Sequence, residues 1–148
     1  MSLNAINPTT GQLLETYAEM SPAEVNRAIG ETHAAFLDWR LTSFDHRAGL
    51  MRRAAEELRA RKRDYAELMA LEMGKPIVQG ESEADKCAWV CDYYADHAAA
   101  FLADEQIETD LTSSFVTHRP LGVVLAVMPW NFPFWQVFRF AAPALRNT

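Results

Sequence analysis

The stretch Gly122–Pro133, GVVLAVMPWNFP, decides the fold. Residues Gly122–Val127 form an unbroken apolar run rich in β-branched side chains, a pattern typical of a strand covered on both faces in a parallel sheet. Pro133 is suited to the first turn of a helix. The sequence therefore predicts a buried strand over 122–128, a sharp turn, and a helix that begins at Pro133.

Asn131 is the polar side chain of the predicted turn, and it follows the carboxyl end of the strand, where open α/β sheets bind ligands. A carboxamide donates hydrogen bonds without ionising, so it can stabilise an oxyanion that develops on a carbonyl carbon under attack. The alternative is a turn asparagine that satisfies nearby backbone groups, and residue type alone favours that alternative.

Three segments together resemble one protein family. Pro120–Leu145 closely resembles the P-x-G-x-V-x-x-I-x-P-W-N-(F/Y)-P signature of the aldehyde dehydrogenase superfamily. Asn7–Gly11 resembles the family's opening N-P-x-T-G turn, and Glu72–Pro76, with Glu81 and Glu83, resembles its E-x-G-K-P segment. Because the segments occur in the right order and at the right spacing, the resemblance covers nearly the whole chain.

Within that superfamily, the succinate-semialdehyde dehydrogenases are the most similar group. The similarity lies in DWR at Asp38–Arg40, in CDYYADH at Cys91–His97 and in PWNFPFWQVFR. The resemblance implies an α/β fold: the N-terminal part of a Rossmann-type cofactor domain, mostly helical in this portion with a few strands. Residues 1–148 would form a partial cofactor-binding domain, with about 105–121 in an oligomerisation arm and the catalytic domain absent.

The resemblance also implies a role for each residue of the signature. Asn131 would donate to the oxyanion, and the residues before it would line the channel of NAD or NADP, while those after it would bind an aldehyde with a carboxylate tail. The implied cofactor-lining residues are Val127, Met128, Pro129, Trp130 and Asn131. The implied substrate-binding residues are Phe132, Trp135, Gln136 and Arg139. For the aromatic members of this set, simple core packing is the alternative.

Arg139 is an unusual cation within an aromatic and aliphatic helix. An unpaired buried charge is costly, so the guanidinium needs solvent, a carboxylate partner or a ligand. Its planar fork suits a carboxylate, and the resemblance assigns it to the distal carboxylate of the substrate. An ion pair with Glu105 or Asp110 is the alternative.

The implied reaction is thiolate attack on an aldehyde, hydride transfer to NAD(P)+ and hydrolysis of the thioester. The resemblance places the nucleophilic cysteine and the general-base glutamate beyond Thr148, so we expect this chain alone to be inactive. Cys87 and Cys91 precede the motif within a helix and are predicted to be packing groups, and no metal site is predicted. Another hypothesis is a non-catalytic helical interaction module or an inactive truncated gene product.

Composition limits the other possibilities. The net charge of -6 argues against a general nucleic-acid surface. Polar residues and prolines interrupt the apolar stretch 121–145, so no membrane span is predicted. The first 18 residues lack a signal-peptide pattern, which favours a cytoplasmic protein. By resemblance, the full-length enzyme would be a homo-oligomer.

Hydrophobic periodicity predicts the remaining elements. Two short strands should surround a Pro8–Gly11 turn within residues 3–18, and an extended strand should cover 113–119. The Ser21–Glu24 capping signals predict the start of a first helix, and further helices are predicted over about 43–61, 64–73 and 76–103. Two stripes are expected to face the core: Val25, Ala28, Ile29, Thr32 and Phe36 in the first helix, and Ala84, Cys87, Cys91, Tyr94, Ala98 and Phe101 in the fourth. Glu83, Asp92 and Asp96 are expected to face solvent.

Overall fold

The computed structural model describes residues 2–147, with the side chains of 2–146, and helices account for most of them. In chain order the elements are β1 (Ser2–Ile6), β2 (Leu13–Ala18), α1 (Pro22–Trp39), α2 (Phe44–Ala60), α3 (Lys62–Met73), α4 (Ile77–Phe101), β3 (Glu105–Gln106), β4 (Phe115–Val116) and α5 (Pro133–Asn147). The four predicted helices before residue 104 and the helix from Pro133 are confirmed.

The N-terminal strands form the predicted hairpin. β1 pairs antiparallel with β2, with Leu3 opposite Tyr17. In the turn, the carboxamide oxygen of Asn7 accepts hydrogen bonds from the N–H groups of Thr9 at 2.9 Å and Thr10 at 3.2 Å. Gly11 has a φ of 73°, which glycine adopts without strain, and its N–H donates to the carbonyl of Asn7 at 2.8 Å.

Local capping marks the starts of α1 and α2 and the end of α3. At the start of α1, the side chain of Ser21 accepts from the N–H of Glu24, while the Glu24 carboxylate accepts from the N–H of Ser21 at 2.7 Å. This is a capping box. The side chain of Ser43 caps α2. Gly74, with a φ of 72°, ends α3 in the left-handed conformation, so the chain turns before α4.

The central helix is α4, which packs against α2, α3 and α5. Small side chains dominate the contact, which allows the helix axes to approach closely. The core cluster consists of Ala48, Met51, Ala55 and Leu58 of α2, Cys87, Ala88, Val90, Cys91 and Ala95 of α4, and Ala142 of α5. Its rim carries ion pairs between Arg52 and Asp96 and between Arg59 and Asp92, both at 2.6 Å.

The predicted core stripe of α1 is wrong for the described part of the chain. No residue of α1 is buried, and Val25 and Ile29 are 42% and 56% exposed. The amphipathic pattern is present, but its hydrophobic face has little of the described chain to pack against. The C-terminal half of α1 lies near α5 and residues 122–124 through Phe36 and Trp39. The indole N–H of Trp39 donates to the carbonyl of Leu145 at 2.9 Å. Phe101, at the end of the α4 stripe, is also exposed.

The predicted buried strand over 122–128 is also wrong for residues 2–147. The segment has no strand pairing, and Leu125 and Val127 are 88% and 86% exposed. A buried strand requires neighbours to satisfy its backbone groups. The described sheets are two separate antiparallel pairs, β1–β2 and β3–β4, and neither pairs with this segment. The strand predicted over 113–119 shrinks for the same reason to Phe115–Val116, which pairs with β3.

No helix within residues 2–147 is long and apolar enough to cross a membrane.

Gly80 provides a test of the α3–α4 packing. A Cβ atom at Gly80 would lie 2.8 Å from both Cα and Cβ of Ala66, a distance at which one helix must move. We expect Gly80→Ala to lower the free energy of unfolding by about 1–3 kcal/mol, the usual range for overpacking. The measurement is urea unfolding followed by circular dichroism.

Gly30→Ala is the matched control, because Gly30 lies within α1 and a Cβ atom there meets nothing within 4 Å. It should leave stability unchanged or raise it by up to about 1 kcal/mol, through higher helix propensity. Equal effects of the two substitutions would contradict the close approach of α3 and α4.

The core cysteines provide a pH test. Burial raises the pKa of the Cys87 thiol to about 12 and that of the Cys91 thiol to about 11. Both should therefore resist a thiolate-specific reagent at pH 8 in the folded chain and react after addition of urea. Because the folded state disfavours the thiolates, their contribution to stability should be complete below the unfolded pKa near 9.0 and decrease as the pH rises towards 11.

The control is the Cys87→Ala/Cys91→Ala variant, whose free energy of unfolding should fall less steeply between these pH values. Rapid labelling of either thiol in the folded chain would contradict its placement in the core.

Candidate functional site

The site forms where α5 begins. Pro133 occupies the first position of α5 and has no N–H. The N–H groups of the next residues have no acceptor within the helix and need one elsewhere. The N–H groups of Phe134 and Trp135 both donate to one carboxylate oxygen of Glu83, each at 2.9 Å. A carboxylate at a helix N-terminus also interacts favourably with the helix dipole. Glu83 of α4 therefore caps α5 from a neighbouring element.

The prediction that Glu83 faces solvent is wrong, since its residue exposure is 5%. Glu83 lies four residues before Cys87 and eight before Cys91, so helical spacing places it at the edge of the buried stripe of α4. Its charge was the reason for predicting solvent exposure. The start of α5 covers this edge and provides the acceptor's partners. A usable signal was the position of Glu83 within the segment that resembles the family's E-x-G-K-P motif.

Lys75 completes this cap. Its ammonium group forms a buried ion pair with Glu83, and the two side chains are 5% and 3% exposed. The same nitrogen lies 3.4 Å from the backbone carbonyl oxygen of Asn131 and 4.0 Å from the centroid of the Phe132 ring. Buried charges are tolerated when they are paired and hydrogen-bonded, and both conditions are met here. The pair joins the segment after α3, the second turn of α4 and the turn before α5.

Asn131 lies exposed in that turn. Its backbone carbonyl faces Lys75, but its carboxamide makes no hydrogen bond within the described residues 2–147. The alternative role, a turn asparagine whose side chain satisfies neighbouring backbone groups, is therefore not observed in this part of the chain. The amide protons point to no described acceptor and can serve as donors to a ligand.

Two hollows flank the start of α5. One, of about 350 Å³, lies against α3 and includes Trp130 and Phe134 in its lining. The other, of about 360 Å³, lies against α4 and includes Phe132 and Trp135. The structure therefore brings two predicted substrate residues, Phe132 and Trp135, together in one hollow and places Trp130 in the other. Trp135 also packs against the helical core, and core packing was the alternative given for the aromatic residues.

The remaining predicted residues lie on either side of this turn. Val127 and Pro129 are exposed and Met128 is half-buried, so the proposed cofactor-lining segment is accessible. Gln136 is half-buried and Arg139 is exposed on α5. Among the described residues Arg139 has no ion pair, so its predicted alternative partners, Glu105 and Asp110, do not bind it.

Arg146 anchors the other end of α5. Its guanidinium donates to the carbonyl oxygens of Tyr94 at 3.0 Å and Ala95 at 3.2 Å in α4, and to the carbonyl of Phe44 in α2. Burial lowers the pKa of Arg146, and the nearby positive charges of Arg47 and Arg52 act in the same direction. The sequence pattern did not predict the structural role of Arg146.

Other kinds of chemistry find no support among the described residues. No group of three or more His, Cys, Asp or Glu side chains in that part of the chain could hold a metal ion. Both cysteines are buried with raised pKa values, which leaves them poorly suited to be nucleophiles.

The chain is similar to known proteins over its whole length. The sequence profile of the aldehyde dehydrogenase family matches residues 1–148. A Synechocystis protein named probable succinate-semialdehyde dehydrogenase, NADP(+), is 51% identical over 145 residues, which are 98% of this chain and 32% of that protein. Succinate-semialdehyde dehydrogenase 1, NADP(+), of Mycobacterium tuberculosis is 45% identical over 148 residues, again 98% of this chain and 32% of the relative.

Solved structures show the same similarity. The succinic semialdehyde dehydrogenase of Streptococcus pyogenes, solved in complex with NADP+, superposes with a TM-score of 0.92 at 34% identity. The superposition covers 97% of this chain and 32% of that protein. The chain thus spans about a third of the length of these relatives, and its fold is that of their Rossmann-type NAD(P) domain. The chain belongs to the aldehyde dehydrogenase family.

Proposed function

We propose that this chain supplies the oxyanion donor and the carboxylate-binding arginine of an NADP-dependent succinate-semialdehyde dehydrogenase. The main observation is the arrangement around the start of α5. Asn131 presents a carboxamide without a described partner in the turn before α5, and Arg139, exposed and unpaired within residues 2–147, follows on α5. One group suits a reacting carbonyl and the other suits a distal carboxylate.

Asn131 acts on the aldehyde end of the substrate. When a thiolate attacks the carbonyl carbon, negative charge develops on the carbonyl oxygen, and the Asn131 amide donates a hydrogen bond to it. A fixed donor of this kind lowers the barrier because its dipole is already oriented. Phe132, Trp135 and Gln136 exclude water beside the reacting carbon.

Arg139 acts on the other end of the substrate. Succinate semialdehyde carries a carboxylate at the end distal to the aldehyde, and a guanidinium can bind it through two parallel hydrogen bonds. Two relatives of this chain are named as NADP-dependent enzymes for this aldehyde, and one solved structure contains NADP+. Those names support both the substrate and the choice of NADP over NAD.

The accessible segment Val127–Asn131 fits a nicotinamide cofactor, because it is apolar and leads directly to the donor amide. When bound, the cofactor accepts a hydride.

The exposed apolar run 122–127 and the uncovered face of α1 are suited to contact the remainder of such an enzyme. The β3–β4 segment, about 105–121, exposes Leu111 and Phe115, which supports a role as an arm between subunits of a cytoplasmic homo-oligomer.

The chain alone should not oxidise aldehydes, because an oxyanion donor without an accessible nucleophile and a general base cannot form or resolve an acyl intermediate. The measurement is NADPH formation from succinate semialdehyde by the purified 148-residue chain. The control is a mock purification. Turnover that depends on Asn131 would contradict this expectation and require a nucleophile within the chain.

The substrate proposal is tested in a completed enzyme, defined here as residues 1–148 joined to the part of the Synechocystis relative that follows its matched region. Arg139→Gln should reduce kcat/KM for succinate semialdehyde by roughly ten- to a hundredfold, mainly through KM. This is the scale of a charge-assisted hydrogen bond of about 1.5–3 kcal/mol. Butanal, which has no carboxylate, should be little affected.

Two controls accompany this variant. Arg53→Gln, at an exposed arginine of α2, should leave both substrates unaffected. Asn131→Ala should instead reduce kcat for both aldehydes, because the oxyanion forms whichever tail the substrate carries. If Arg139→Gln affects both aldehydes equally, the arginine does not bind the carboxylate and the substrate proposal is wrong.

A further inference from the structure

The Lys75–Glu83 pair contacts the backbone at Asn131 and on the helix that follows. Lys75 lies 3.4 Å from the carbonyl oxygen of Asn131, and Glu83 accepts from the amides of Phe134 and Trp135 at 2.9 Å. Lys75 also covers the ring of Phe132. The two charged groups therefore hold the peptide unit that carries Asn131 and the first free amides of α5.

The side chain of Asn131 has no support of its own within residues 2–147. Its carboxamide is exposed and unbonded there, so its location follows from the path of its backbone. A catalytic donor must be placed accurately, and a displacement of about 1 Å can cost roughly a hundredfold in rate. Whatever fixes the backbone of this turn therefore also sets the strength of the oxyanion interaction.

We propose that Lys75 and Glu83 are positioning residues for Asn131. Glu83 fixes the direction of α5 by accepting from its first two amides, and Lys75 holds the carbonyl of Asn131 against the end of α3. Both side chains are almost completely buried, and both act through the backbone of the Asn131 turn and of α5. The proposal rests on the proposed function only for the role of Asn131 as oxyanion donor.

An ion pair that only stabilised the fold would also be buried. The experiment must therefore distinguish a loss of stability from a displacement of Asn131. Removing one charge leaves the other buried without a partner, which is strongly destabilising. Removing both charges avoids that cost. The double variant Lys75→Met/Glu83→Gln keeps an oxygen that can accept from the α5 amides and retains similar side-chain volumes. It lacks only the ammonium group that contacts Asn131 and the ion pair itself.

The completed enzyme gives the first readout. Each single variant should unfold more easily than the parent, and the double variant should recover most of that loss. Its kcat should nevertheless remain about tenfold or more below the parent for both succinate semialdehyde and butanal, with KM changed less than about twofold. In an Asn131→Ala background the same double substitution should cause little further loss, because it acts through Asn131.

The matched control is Lys62→Met/Asp85→Asn. Lys62 and Asp85 form a 2.8 Å ion pair that also joins the α3 region to α4, but this pair does not contact the Asn131 turn. Its removal should leave kcat unchanged. The proposal is overturned if the kcat of the Lys75→Met/Glu83→Gln variant returns to the parent value together with stability. It is also overturned if the loss is fully additive with that of Asn131→Ala.

Hydrogen exchange in the 148-residue chain provides a readout that does not require activity. The amides of Phe134 and Trp135 should be protected in the parent and in Glu83→Gln, and should exchange at least tenfold faster in Glu83→Ala. Lys62→Met/Asp85→Asn should leave the exchange of the amides of Phe134 and Trp135 unchanged. An inactive completed enzyme with this exchange pattern would defeat the proposed function and leave the positioning intact. Unprotected amides at 134 and 135 in the parent chain would overturn the positioning.

Discussion

The buried ion pair between Lys75 and Glu83 is the interaction on which the arrangement of the site depends. Taking two charges out of water is costly, and removing one member of such a pair typically destabilises a protein by about 3–5 kcal/mol. Here the cost is offset because the carboxylate also accepts from two amides of α5. The pair therefore joins the α3–α4 connection to the start of α5, which is more than 50 residues away in sequence, and it does so beside Asn131.

Helix α5 is held in the same way at both ends. Glu83 binds the amides at its start, and Arg146 binds carbonyl groups of α4 and α2 at its end. Between these polar anchors, Phe134, Phe138 and Ala142 pack against the helical core. Apolar packing sets how closely α5 approaches α4. The two charged anchors set its position along α4, since a shift of the helix would leave buried polar groups without partners.

The sequence predicted the elements that depend on local signals. The capping box at Ser21, the turn closed by Gly11 and the end of α3 at Gly74 were predicted correctly, because each arises from residues close in sequence. The burial of the strand over 122–128 and of the α1 stripe was predicted wrongly, because each needs partners that residues 2–147 do not provide. Lys75 and Glu83 lie eight residues apart, but their contacts with the Asn131 turn and α5, like those of Arg146 with α4, span about 50 or more residues. Local periodicity does not predict such contacts.

The location of the Lys75–Glu83 pair has a consequence for the order of assembly. Within residues 2–147, the pair contacts only the turn before α5 and the first turn of α5, and none of these residues belongs to a sheet. The turn that presents Asn131 can therefore take its shape from helical segments alone. Domains generally fold from the N-terminus as the chain leaves the ribosome. A nascent chain can thus hold the Asn131 turn in place while the apolar run 122–127 beside it is still exposed.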